Sequence, residues 1–96
     1  MYARLVLFTL SEADRQFTDG MLREFRTGLG QVPGFVDAIF FADYETNEYG
    51  ALIRWATKQA ADAAFAGFNA RLVGALEGRL VGELRHPLFE VVEPDS

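Results

Sequence analysis

The sequence predicts an α+β domain with two helices packed on one face of a four-stranded antiparallel sheet. Four short runs rich in aromatic, aliphatic and β-branched residues alternate with two segments of helical periodicity, in the order β-α-β-β-α-β. The two middle runs are joined by the polar stretch Asp43 to Glu48, which suits a hairpin connection. The third run passes through Thr57 straight into an alanine-rich helix, which must then fold back over the sheet.

Size and composition narrow the reading. Ninety-six residues make one domain, residues 1–96, because a second core could hardly be built from so short a chain. Half the residues are apolar, with nine Phe, three Tyr and one Trp, so the core is well filled or extra apolar surface is buried on a partner. The net charge of −5, without a block of like charges, disfavours nucleic acid and anionic membranes, which need clustered Lys and Arg. The absence of cysteine excludes disulfides, thiolate nucleophiles and Cys-ligated metals. No apolar run approaches the roughly 20 residues of a membrane helix, and no leader pattern opens the sequence. The expectation is a soluble cytoplasmic protein.

Tyr2 to Leu10 is apolar at alternate positions of both parities except for Arg4, as in a strand buried on both sides. Ser11 with Asp14 three residues on suggests the start of a helix. Phe17, Met21, Phe25 and Leu29 recur every four residues, with Leu22 widening the stripe and charges elsewhere. Gly28 and Gly30 weaken the end of that helix and Pro33-Gly34 stops it. Phe35 to Asp43 is the second strand and Tyr49 to Ala56 the third. Thr57 is the expected N-cap of the second helix, which carries Ala61, Ala64, Phe65, Phe68 and Leu72 at helical spacing. Gly67, Gly74, Gly78 and Gly82 predict that it continues as two shorter pieces. Arg85-His86-Pro87 breaks the chain, Leu88 to Glu93 is the fourth strand, and Pro94 to Ser96 a frayed tail. Right-handed crossovers then give the strand order 4-1-3-2, a ferredoxin-like βαββαβ plait.

Alternation along the strands sorts the side chains into two faces. One set (Ala3, Leu5, Leu7, Thr9; Val36, Ala38, Phe40, Ala42; Tyr49, Ala51, Ile53, Trp55; Phe89, Val91) suits the face under the helices. The other (Arg4, Val6, Phe8, Leu10; Phe35, Asp37, Ile39, Phe41; Gly50, Leu52, Arg54; Leu88, Glu90, Val92) combines four charges with a band of large apolar groups. Such a band is too large to leave in water, so this face is expected to pack on a second copy, sheet on sheet. Arg4, Val6, Phe8, Asp37, Phe41, Leu52, Arg54 and Glu90 are its candidate interface residues. The charges form a row, Glu90, Arg4, Arg54, Asp37, with opposite signs on neighbouring strands at each edge. They either neutralise one another in the interface or form a polar site within it.

Three stretches carry a resemblance across essentially the whole chain: Val32-Pro33-Gly34-Phe35, Leu52-Ile53-Arg54-Trp55-Ala56-Thr57, and Pro87-Leu88-Phe89-Glu90-Val91-Val92. With the βαββαβ order they resemble the antibiotic biosynthesis monooxygenase superfamily. The resemblance implies a dimeric α/β barrel, and either cofactor-free oxygenation of phenolic or quinol-like substrates or, in one branch, haem degradation. Trp55 matches the family's tryptophan at the end of strand three. The histidine that many members carry nine or ten residues later is replaced by Ala64 or Phe65, and the strand-one asparagine of the haem-degrading branch is missing from Tyr2 to Leu10. The resemblance therefore points away from haem and toward a site without a cofactor.

A pocket between sheet and helices, floored by Trp55, is the expected site, with Ala51 beside it. A phenol's proton or anion needs a polar group, and Tyr49, Thr9, Asn69 and Arg71 are the candidates. His86, the one side chain that normally titrates near neutrality, lies in a loop far along the chain from Trp55. One His and scattered carboxylates offer no ligand-spaced metal cluster, the glycines form no phosphate loop, and the sheet lacks the aromatic and basic pattern of an RNA-binding plait. Two classes stay open: a small oxygenase acting on an aromatic, quinol or polyketide-like substrate, and a non-catalytic dimeric ligand-binding or accessory module.

Overall fold

Tyr2–Leu10 (β1) occupies the middle of the sheet, with a strand paired on each side. The computed structural model describes residues 1–12 and 14–94; Ala13 and the last two residues of the expected tail fall outside them. Glu48–Trp55 (β3) pairs with β1 on one side, and Phe35–Asp43 (β2) pairs with β3 beyond it. On the other side of β1 lie Leu80–Arg85 (β4) and Leu88–Glu90 (β5), and every pairing is antiparallel. The helices are Arg15–Leu29 (α1) and Lys58–Ala75 (α2). The fold is a ferredoxin-like plait whose last strand position is shared by two segments.

The segment after α2 departs from expectation. The helix runs unbroken through Gly67 and Gly74, and Leu80–Arg85 is a strand rather than a second helical piece. Gly78 and Gly82 supply the reason, since their backbones lie in the left-handed region (φ +79° and +73°), which ends a helix and kinks a strand. Gly82 sits where the β1–β4 register slips between Leu7 and Thr9. Pro87 has no amide to donate, yet its carbonyl accepts from the Leu5 amide at 3.0 Å. The edge therefore continues into β5, a place that tolerates proline.

Capping follows local chemistry. Asp14, not Ser11, closes the start of α1, accepting from the Phe17 amide at 3.0 Å. Thr57 caps α2 as expected, accepting from the Ala60 amide at 3.1 Å. Asp43 folds the hairpin by accepting from the Glu45 and Thr46 amides, and Asn47 takes the left-handed turn position at φ 59°.

Register corrects the assignment of faces. Residues directly opposite in an antiparallel pair share a face, and β1 pairs Arg4 with Ile53, Val6 with Ala51 and Phe8 with Tyr49. Arg4, Val6 and Phe8 therefore point under the helices, not onto the open face, and Ala3, Leu5 and Leu7 take the outer positions. At β5, Leu88 pairs with Arg4 and packs in the core, Phe89 turns outward, and Glu90 pairs with Tyr2, off the open face. A bulge between Phe35 and Asp37 brings Phe35 inward, with its ring edge-on to Trp55 at 5.8 Å. The open face holds four rows, of which the one at the hairpin end is polar, with Thr9, Glu48 and Asp43. Leu7, Gly50 and Phe41 form the next, Leu5, Leu52 and Ile39 the third, and Phe89, Ala3, Arg54 and Asp37 the fourth. Of the expected charge row only Arg54 and Asp37 meet.

Gly34 joins α1 to β2 at φ +88°, and a Cβ there would lie 2.5 Å from the Ala60 Cβ on α2. Gly34→Ala should lower folding stability by about 1–3 kcal/mol, combining left-handed strain with a backbone shift. Urea unfolding at an unchanged m-value measures it, and an unchanged midpoint would contradict this account.

Candidate functional site

Small side chains make the space. On the sheet, Ala51 lies between Val6 on β1 and Phe40 on β2, in one cross-strand row. On α2, Ala61 and Ala64 face that row. Larger groups close around the gap they leave: Leu22, Phe25 and Leu29 from α1, and Phe65, Phe68 and Leu72 from α2. The result is a cavity with about 70 Å³ open to the centres of water-sized molecules, lined almost wholly by apolar groups. Trp55 forms part of its wall and is 2% exposed.

The polar side chains in that wall are Arg4 and Asn69. Arg4 is 9% exposed. Its Nη1 donates to the His86 carbonyl at 2.7 Å and its Nη2 to Asp62 Oδ1 at 3.4 Å, while the guanidinium carbon sits 4.6 Å from the centre of the Phe65 ring. Nε is buried without a partner among the described residues. Burial lowers the Arg4 pKa from its ordinary value, and the charge of Asp62 and its hydrogen bond oppose this. Asp62 Oδ2 accepts from Lys58 Nζ at 2.9 Å, and this bond, ahead of Arg4, holds the carboxyl below its usual range.

The expected site residues divide. Trp55, Ala51 and Asn69 line the cavity; Tyr49, Thr9 and Arg71 do not. Tyr49 lies one row further along β3, 1% exposed, stacked on Phe8 at 5.8 Å, its hydroxyl buried and without a partner among the described residues. Thr9 lies on the outer parity of β1, opposite Glu48. Arg71 is exposed, its guanidinium 5.5 Å from the Phe68 ring. His86 is nearer the site than its place in the sequence suggests. Its ring lies 4.3 Å from that of Phe65, and its carbonyl anchors Arg4. Among the described residues, no three metal-ligating side chains cluster, and no helix is long and apolar enough to cross a membrane.

Sequence reasoning missed Arg4 as a cavity residue. The available signal was its isolation, a single charge in a strand otherwise apolar on both faces.

No family model and no curated protein matches the chain, but solved structures do. SnoaB, a cofactor-independent oxygenase from Streptomyces nogalater, aligns with a TM-score of 0.75 at 23% identity, covering 98% of this chain and 95% of that one. An antibiotic biosynthesis monooxygenase aligns at 0.79 and 17% identity, covering 97% and 100%. The ActVA-Orf6 monooxygenase of Streptomyces coelicolor, in complex with nanaomycin D, aligns at 0.72 and 18%, covering 98% and 92%. These likenesses establish the fold, which is that of the antibiotic biosynthesis monooxygenases.

The unpaired Tyr49 hydroxyl loses its hydration on folding without a replacement partner. Tyr49→Phe should therefore leave stability unchanged or raise it by about 1 kcal/mol. A loss of more than that in thermal or urea unfolding would reveal a partner for the hydroxyl.

Proposed function

We propose that this protein is a cofactor-independent, monooxygenase-like enzyme acting on a small flat aromatic, quinol or polyketide-like molecule held beside Trp55. The observation that carries the reading is the apolar cavity between sheet and helices with the indole in its wall. Its fold is one on which proteins named as oxygenases occur. An indole offers a flat guest about 0.5–1.5 kcal/mol beyond area burial.

The chemistry needs no external reductant if the substrate carries an activated methylene. The conversion R₂CH₂ + O₂ → R₂C=O + H₂O balances, with the methylene supplying all the electrons, one oxygen entering the product and the other leaving as water. The protein's part is to exclude water, orient the ring and favour the substrate anion that reacts with oxygen.

One observation favours a second reading, a non-catalytic ligand-binding or accessory module. Among the described residues, no carboxylate, imidazole or phenol stands in the cavity wall to accept a proton. Oxygen uptake with anthrone, a flat compound with an acidic methylene, separates the two. The enzyme consumes one O₂ per anthrone above the uncatalysed rate, whereas the module binds without uptake.

Occupancy is read directly, because Trp55 is the sole tryptophan. Hydrophobic phenols should quench its fluorescence saturably, and Ala51→Leu, filling the cavity without adding charge, should abolish the quenching. Equal binding by the variant would mean that the guest lies elsewhere.

We further propose a homodimer through the open sheet face. Ile39, 61% exposed, Phe41 and Phe89 stand there with Leu5, Leu7 and Leu52 in adjoining rows, an apolar surface larger than scattered exposure explains. Phe41→Asp should yield folded monomers in sedimentation, while Phe8→Asp, buried under the helices, should unfold the chain. A wild-type monomer at micromolar concentration would refute the interface.

A further inference from the structure

The cavity wall contains a charge that its neighbours do not balance. The His86 carbonyl and the Phe65 ring are neutral partners of Arg4. Among the described residues Asp62 is the one carboxylate in contact, at 3.4 Å; its side chain is half-exposed and its other oxygen is closer to Lys58, at 2.9 Å. A carboxylate divided between two cations and open to water screens a buried guanidinium poorly. A cation held in an apolar wall is costly unless something negative approaches it.

The other groups around the cavity say what that negative group is attached to. Apart from Asn69 they are aliphatic or aromatic, so a small hydrated anion would lose its water there without replacement. An anion borne on a flat apolar frame meets both demands. The spacing fits one molecule. Arg4 sits opposite Ile53, and Trp55 is the next residue on the same face of β3, a diagonal separation of roughly 7–8 Å between Cα atoms.

We propose that the cavity selects ligands carrying an oxyanion (carboxylate, phenolate or enolate) on a flat apolar frame, with Arg4 recognising the charge and Trp55 the ring. This rests on reading the cavity as a ligand site and adds the class of ligand. Asp62 acts as a competitor. It holds Nη2, and an entering oxyanion takes over part of that guanidinium's charge.

Calorimetric titration of matched pairs tests this: 2-naphthoate against its methyl ester, and 2,4-dinitro-1-naphtholate against its methyl ether. Each anion should bind wild-type protein about tenfold tighter than its neutral partner, the strength of a hydrogen bond to a charged group. Preference for only one anion assigns the site to carboxylates or to phenolates. Arg4→Met should remove the preference, each anion falling to the affinity of its neutral partner. Asp62→Asn, which keeps the size of a half-exposed side chain and removes its charge, should tighten the anions several-fold relative to their neutral partners. Equal binding of anion and neutral partner by the wild type would overturn the inference while the cavity remains a ligand site, as would a preference that survives Arg4→Met. Unchanged or weaker anion binding by Asp62→Asn would also overturn it. If neither member of either pair binds the wild type, the reading of the cavity fails, and this inference with it.

Discussion

The pairing of β1 with β3 decides what each half of this molecule contains. Because the side-chain period of a strand is two, sliding one strand by a residue would exchange every side chain between the two faces. The observed register puts Val6 opposite Ala51 and Phe8 opposite Tyr49 on the helix side, and Leu5 opposite Leu52 on the open side. Either face of β1 is apolar, so β1 alone cannot enforce that choice. Its neighbours do. Trp55, Ile53 and Ala51 on β3 must meet the helices, and Arg54 between them is then forced outward to Asp37. The short hairpin at Asp43–Glu48 fixes β2 against β3 in the same sense.

That register also produces the buried guanidinium. Arg4 cannot turn outward without sending Val6 and Phe8 with it, and Phe8 belongs to the lower core with Leu10, Met21, Tyr49 and Leu76. The apolar side chains thus hold the charge in place. What surrounds it keeps the arrangement tolerable, with a carbonyl in line at Nη1, an aromatic face beneath the plane and a carboxylate at the rim. The alanines opposite prevent the wall from closing over it. Ala51, Ala61 and Ala64 are among the most buried residues in the chain, yet none is large enough to fill the layer between sheet and helix.

Much of this was legible in the sequence because it rests on local signals. Thr57 as a cap, the four-residue stripe of α1 and the alternating runs of β2 and β3 need no tertiary information. Phase was a different matter. In β1 and β5 both parities are apolar, so the faces could be ordered only by assuming that Arg4 seeks water, and the pairing shows otherwise. The missed strand β4 has a similar cause. Leu80–Arg85 is short, half-exposed and interrupted by Gly82, and its identity comes from the β1 edge that it completes. In the pocket, Trp55 and Ala51 followed from the strand-to-helix corner, while the role of Arg4 required knowing what lies across from it.

Two arginine–aspartate pairs show how far solvent decides the meaning of one chemistry. Arg54 and Asp37 meet on neighbouring strands of the open face through two parallel hydrogen bonds, Nε to Oδ1 at 2.7 Å and Nη2 to Oδ2. Both side chains are nearly half-exposed, and the hydrogen bond from Arg54 holds the Asp37 carboxyl below its usual range. That pair is geometrically complete. Its fork is filled, and water screens what remains. Arg4 and Asp62 share one longer contact, with the guanidinium buried and the carboxylate at the surface. The first pair could be enclosed by a second sheet without leaving a net charge behind, as an interface requires. The second leaves an excess of positive charge on the inner side of the same sheet, beside an indole and an open volume, as recognition of an anion requires.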